Sequence, residues 1–139
     1  KSVSYILKNL LTEPVKGLNG TATYCSIPGI DVAAKTGTTN ENYDRWLAGF
    51  TPYYTAVTWY GFDMNESINF DNKNPAGLIW SAVMKKIHKG LDNKTFIMPN
   101  GVVQSNVCSS SGNIATDKCP HTYKEVYLNG TLSNQCTQH

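Results

Sequence analysis

The run Lys35-Thr36-Gly37-Thr38-Thr39 is the stretch of this sequence best equipped for chemistry. Just before it, Ile30, Val32 and Ala34 alternate with Asp31, Ala33 and Lys35, which is the period of a strand. On such a strand Lys35 shares a face with Ala33 and Gly37, so an ammonium group stands over a floor of small residues. Gly37 has no side chain and lets a ligand backbone come close to the strand. Thr36 and Thr38 add hydroxyls. An exposed edge with these groups can hold an extended peptide as an added strand, and its terminal carboxylate by charge-assisted hydrogen bonds. A main-chain N–H at the same place can face a developing oxyanion.

Blander readings compete. Lys-Thr-Gly is short, and by itself it fits an ordinary strand end. Gly29 to Thr36 lies one residue from a phosphate-binding loop, with Ala34 where the second Gly belongs. That loop needs a helix after it, and here the residues alternate like a strand. Ser67-Ile68-Asn69 and Ser111-Gly112-Asn113 match the Ser-x-Asn element of serine acyl-transfer enzymes, but both lie downstream in turn-like segments and read as decoys. His88 reads as a surface residue at a cationic helix end. Cys119, His121, Cys136 and His139 offer a two-Cys, two-His zinc set, the basis for a non-catalytic secreted Cys/His module. Their spacing does not match the usual zinc fingers, and no metal or cofactor is expected.

The elements that must position Lys35 follow from the apolar pattern. Val3, Ile6, Leu7, Leu10 and Leu11 predict a helix that packs by that face and ends at Pro14. Its start, almost on the first apolar position, suggests a cut through something larger. A loop spans Gly17 to Gly29. After the polar turn Asn40 to Asp44 come a second strand, Arg45 to Thr51, and a third, about Tyr54 to Phe62. The short links predict an antiparallel three-stranded meander. Asn74-Pro75 then opens a helix, with Asn as cap and Pro in the first turn. Leu78, Ile79, Ala82, Val83 and Ile87 are its expected packing stripe against the meander, and Gly90 stops it. Residues 99–139 read as a loop-rich, cysteine-containing appendage with short strands near Val102 and from Glu125 to Leu128, distinct from residues 1–98.

The whole chain has 139 residues, net charge +2, 40% hydrophobic and 16% charged residues, which excludes a disordered polymer. No apolar run reaches the length of a membrane span, and no signal peptide is recognised. Of the 12 basic residues only Arg45 is an arginine and the lysines are scattered, which argues against nucleic-acid binding. Four cysteines, at 25, 108, 119 and 136, fit an oxidising compartment, with three pairings open. The clustered last three suit one bridge plus one free or long-range thiol.

Taken together, the motifs become specific. Lys35 to Thr39, then Asp44, Trp46 and Gly49-Phe50-Thr51-Pro52, closely resemble the Lys-Thr-Gly region of class A (bifunctional) penicillin-binding proteins. So do the Pro75 to Trp80 helix start, the Phe96-x-x-Pro99-x-Gly101 exit, and the Ser111-Gly112, Ala115-Thr116 and Cys119-Pro120 tail of Gram-positive members. The likeness covers essentially the whole chain. It implies an α+β chain with part of the penicillin-binding and serine β-lactamase-like transpeptidase fold: the meander packed by helices, plus the tail. Family chemistry also needs a Ser-x-x-Lys nucleophile motif and a Ser-x-Asn motif. The first occurs nowhere in this sequence and the second nowhere before Lys35.

The resemblance therefore implies the C-terminal half of a D-Ala-D-Ala transpeptidase domain. Its parent would crosslink cell-wall stem peptides through an acyl-serine and be acylated by β-lactams. The fragment itself, without the serine, is expected to be inactive. In that scheme Lys35 supplies positive charge near the substrate carboxylate, the Thr36 and Thr38 hydroxyls bind it, and the Thr38 N–H forms half of the oxyanion hole. Gly37, Thr39, Asn40 and Trp46 border the substrate. The expected partners are a stem peptide, a β-lactam, and either the missing upstream half or a second copy exchanging elements. The parent would sit at the outer face of the bacterial plasma membrane. A serine β-lactamase or D,D-carboxypeptidase is the rival within the same fold.

Overall fold

A computed structural model describes residues 1–70 and 72–139. The chain forms two compact units, one of Leu10–Phe96 and one of Lys1–Asn9 with Ile97–His139. The first contains the sheet with the Lys-Thr-Gly run, and it is the α+β meander that the pattern predicts. Strands β1 (Ala33–Thr38), β2 (Asp44–Phe50) and β3 (Thr55–Gly61) pair antiparallel in chain order, so β1 lies on the border. Lys35 faces Ala48 across the pairing, Gly37 faces Trp46, and Thr38 faces Arg45. Expected and observed strand limits differ only at their ends. The polar link is tight, with Glu41 and Asn42 at φ of 57° and 62° inside a 3₁₀ turn, Asn40–Asn42.

Two helices accompany these strands, α1 (Ser2–Lys16), which contributes to both units, and α2 (Pro75–Ile87). The start of α2 is as expected. The Asn74 side chain accepts from the Ala76 N–H at 3.0 Å, and its amide also donates to the Trp46 carbonyl at 3.1 Å. The packing face is not as expected. Ala76, Gly77, Trp80, Ser81 and Met84 are buried, whereas Leu78, Ile79, Val83 and Ile87 are exposed. The helix carries two apolar stripes, and the one that includes Trp80 goes inward because it fills the most space. Gly49 of β2 makes room for it: a Cβ there would lie 2.8 Å from the indole. The Trp80 Nε1 donates to the Ala56 carbonyl at 3.0 Å, so the ring is buried without an orphaned donor. Val32, Ala34, Leu47, Ile30, Cys25 and Met84 complete this core.

Two further expectations are overturned. Pro14 does not end α1, which runs on to Lys16; its ring is tolerated within the final turn, and its carbonyl accepts from Ala22 at 2.8 Å. The buried side of α1 is Lys8, Thr12 and Val15, while Val3, Leu7 and Leu10 are exposed. The Lys8 ammonium lies 3.9 Å above the Tyr5 ring, an attraction that offsets part of the cost of burying the charge. His88, in turn, is 5% exposed rather than on the surface. Its ring bonds to the Thr51 hydroxyl at 2.9 Å and to the Met84 carbonyl at 2.7 Å, edge-on to Tyr53 and Tyr54. Thr51-Pro52 thus supplies the partner that makes a buried imidazole possible.

The second unit holds a two-stranded antiparallel ribbon, β4 (Val102–Cys108) and β5 (Thr122–Leu128). Both strands are longer than their sequence signals suggest. Val102, Val107, Cys108, Val126 and Cys136 are its buried apolar residues. No helix among the described residues is long and apolar enough to cross a membrane.

Candidate active-site edge

Lys35 stands on the border strand, exposed, and its ammonium donates to the Thr36 carbonyl at 3.0 Å. Two of its three N–H donors stay available to a ligand. It lines an open groove of about 630 Å³ with Leu10, Leu11, Glu13, Pro14 and Thr21, among others. The end of α1 and the loop after it therefore form the wall that faces this lysine. That wall was not legible in sequence, where residues 17–29 read only as a loop.

The neighbouring residues divide by strand alternation. Lys35 and Gly37 share one face of β1 with Trp46 of β2, and Thr36 and Thr38 share the other. A Cβ at Gly37 would lie 3.1 Å from the Trp46 Cβ, so a side chain here would crowd the base of the indole. Trp46 is 42% exposed and lies 6.4 Å from the Trp59 ring, giving an aromatic platform beside Gly37. The Thr36 hydroxyl is 3.5 Å from that of Thr21. The Thr38 hydroxyl accepts from the Arg45 guanidinium at 3.1 Å, which leaves its own proton free to donate.

Arg45 is the residue that sequence reasoning passed over. It is buried, its second amino group donates to the Ile68 carbonyl at 2.9 Å, and the guanidinium lies 4.5 Å from the Phe70 ring centre. The available signal was its identity: a lone arginine among lysines marks a position that needs a planar fork. Thr39 has a structural task. Its hydroxyl accepts from the Asp44 N–H at 2.9 Å and donates to the Asp44 carboxylate at 3.1 Å, and that carboxylate also accepts from the Trp59 indole at 2.8 Å. This clasp closes the turn that carries exposed Asn40.

One of the two Ser-x-Asn decoys resolves as well. Ser111 and Asn113 form a local turn in the second unit, with the Asn113 N–H donating to the Ser111 hydroxyl at 3.2 Å. Among the described residues His121 and His139 do not join Cys119 and Cys136 in a cluster; those two sulfurs instead lie with Cys108.

Comparison with known proteins agrees with this geometry. Residues 98–139 match the family model "Penicillin-binding protein 1A, C-terminal domain". Penicillin-binding protein 1A of Clostridium tetani is 37% identical over 98% of this chain, which spans 18% of that protein. Penicillin-binding protein 1A/1B of Bacillus subtilis is 29% identical over 92% of the chain, which spans 16% of it. The chain thus spans about a fifth or less of the relatives it matches. The crystal structure of penicillin-binding protein 1A from Haemophilus influenzae superposes with a TM-score of 0.78 over 96% of the chain and 21% of its own length, at 23% identity, which speaks for the fold. The relatives match almost the whole of this chain, and the family model matches its tail: this chain corresponds to the C-terminal part of a class A penicillin-binding protein.

Proposed function

We propose that the chain supplies the carboxylate-binding and oxyanion-binding edge of a D-Ala-D-Ala transpeptidase whose serine lies outside these 139 residues. The observation that carries the reading is Lys35 on a border strand beside an open groove. A stem peptide or a β-lactam aligns along β1, where Gly37 admits its backbone. Its carboxylate sits at the border edge of β1, where the Lys35 ammonium reaches it from one face and the Thr36 and Thr38 hydroxyls from the other. The carbonyl under attack points at the Thr38 N–H, which stabilises the charge that develops as the serine adds. The amide nitrogen of the terminal D-Ala leaves with a proton, and an amine of a neighbouring peptide then displaces the serine. Trp46 and Asn40 border the acceptor or donor chain.

The exposed apolar stripe of α2 supports a second element of the reading, that other parts of the parent chain cover it. Relatives more than five times as long have the residues to do so. The parent then acts at the outer face of the plasma membrane, where its substrate is. A fluorescent penicillin and a denaturing gel test the proposal. The parent is expected to be labelled, its Lys35→Ala form to lose about 1.5–3 kcal/mol of acylation barrier lowering, the worth of one hydrogen bond to a charged group, and the 139-residue chain to take no label. A labelled band at this chain's own mass, or full labelling of the Lys35 variant, overturns it.

A further inference from the structure

The transpeptidase reading leaves one cluster of nucleophilic groups unused. The sulfurs of Cys108, Cys119 and Cys136 lie within 4.8 Å of one another. They come from three separate segments: the end of β4, the turn at 116–119, and the stretch that follows β5. Each is held in place by its own backbone. The Cys108 N–H donates to the Asn113 carbonyl at 2.8 Å, the Cys119 N–H to Thr116 at 3.1 Å, and the Cys136 N–H to Ile114 at 2.8 Å. Ile114 bridges both Val107 and Gln135, so the first and third segments are tied through one residue. The Gly112 N–H closes the loop onto the Cys108 carbonyl at 2.9 Å, with Gly112 at φ +71°.

Two sulfurs also receive hydrogen bonds. The Ser111 hydroxyl donates to Cys136 Sγ at 3.3 Å, and the Thr116 N–H to Cys119 Sγ at 3.3 Å. Donors aimed at sulfur favour the anionic form, because a thiolate accepts far better than a thiol. These two donors belong to the Ser111-Gly112 and Ala115-Thr116 pairs that stood out in the sequence, and the acyl-transfer chemistry gives neither a role. Three sulfurs are also one more than a disulfide uses. A bridge between any two leaves a third sulfur beside it, whereas a metal ion uses all three. Sulfurs sharing one tetrahedral zinc at about 2.3 Å stand roughly 3.8 Å apart, so the cluster needs only a small contraction.

We propose that Cys108, Cys119 and Cys136 form a three-thiolate site for a thiophilic divalent cation, zinc by preference. Binding exchanges up to three thiol protons for one cation and needs no oxidant. The fourth corner goes to water. The site lies in the second unit and stands independently of the transpeptidase reading.

The test is cobalt titration of the reduced 139-residue chain. One equivalent is expected to produce sulfur-to-cobalt charge-transfer absorption and tetrahedral d–d bands, and zinc to bleach them. Thiol titration should find three of the four cysteines protected by zinc and released by a chelator. Ser111→Ala, which removes a donor to a ligand sulfur, should weaken cobalt binding about 10- to 100-fold, and Cys136→Ser by more. Cys119→His keeps a metal ligand and should retain the d–d bands with weaker charge transfer, while Cys25→Ser should change nothing. Absent cobalt absorption in the fully reduced chain overturns the proposal. So does binding that survives Cys136→Ser unchanged, or a Cys108, Cys119 or Cys136 disulfide that re-forms in the presence of excess zinc.

Discussion

The sheet unit and the tail unit handle their cysteines in opposite ways. Cys25 is buried among Val32, Leu47, Trp80 and Met84, and its thiol donates to the Gly77 carbonyl at 3.6 Å. Burial pushes its pKa up to about 11, against the pull of Lys85. It is a core residue that happens to contain sulfur. In the tail, three sulfurs gather instead, and hydrogen-bond donors turn toward them. The difference follows core size. The sheet unit closes over an indole, a leucine and a methionine, whereas the tail has three buried valines and two buried cysteines. A unit with so little apolar surface to bury needs another tie.

The comparison breaks first at Trp80. Trp80→Ala should cost the sheet unit about 3–5 kcal/mol, read by denaturant unfolding, because it empties the largest buried volume and orphans the Ala56 carbonyl. If the tail relies on a cation rather than on a core, a chelator should act on the other unit alone. Amide exchange in β4 and β5 should rise by roughly a hundredfold, since a cation at 100 times its dissociation constant contributes about 2.7 kcal/mol. Exchange in β1 and β2 should not move. Equal acceleration in both units would show that the tie is not local to the tail.

Cys25 sharpens the contrast further. With a pKa near 11, only about one thiolate in 10⁴ forms at pH 7, so alkylation of the native chain should spare Cys25. A thiol whose pKa is raised on folding stabilises the fold below its unfolded value. That contribution should fade as the pH climbs from about 8.5 toward 11. The smallest expected effect is at Asn74. Asn74→Ala should cost about 0.5–2 kcal/mol, seen as a lower urea midpoint, through loss of the α2 cap and of the bond to the Trp46 carbonyl.

What the sequence made legible follows the range of the interactions. The meander, its polar link and the Asn74 cap rest on alternation, turn residues and neighbours along the chain, and all three could be read. Which of the two apolar stripes on α2 faces inward depended on Gly49 leaving space for Trp80, a contact between distant segments. His88 could not be assigned without knowing that Thr51 meets it. The Lys-Thr-Gly run was visible from residue types, whereas the groove beside it needed the path of α1 past Pro14. The cysteine count signalled some special role for the tail, but spacing paired the cysteines with histidines, and only the ribbon register brings Cys108 to Cys119 and Cys136.

The Arg45 guanidinium grips the Thr38 hydroxyl with one amino group and the Ile68 carbonyl with the other. It acts as a mechanical linkage between the border strand and a remote polar segment that is itself pinned by the Ile68 N–H on the Asn42 carbonyl at 3.0 Å. Any shift of that segment, by substitution or by a molecule leaning on it, turns the hydroxyl at position 38. On the proposed transpeptidase reading, residues that never touch the substrate carboxylate would thereby help to set its alignment.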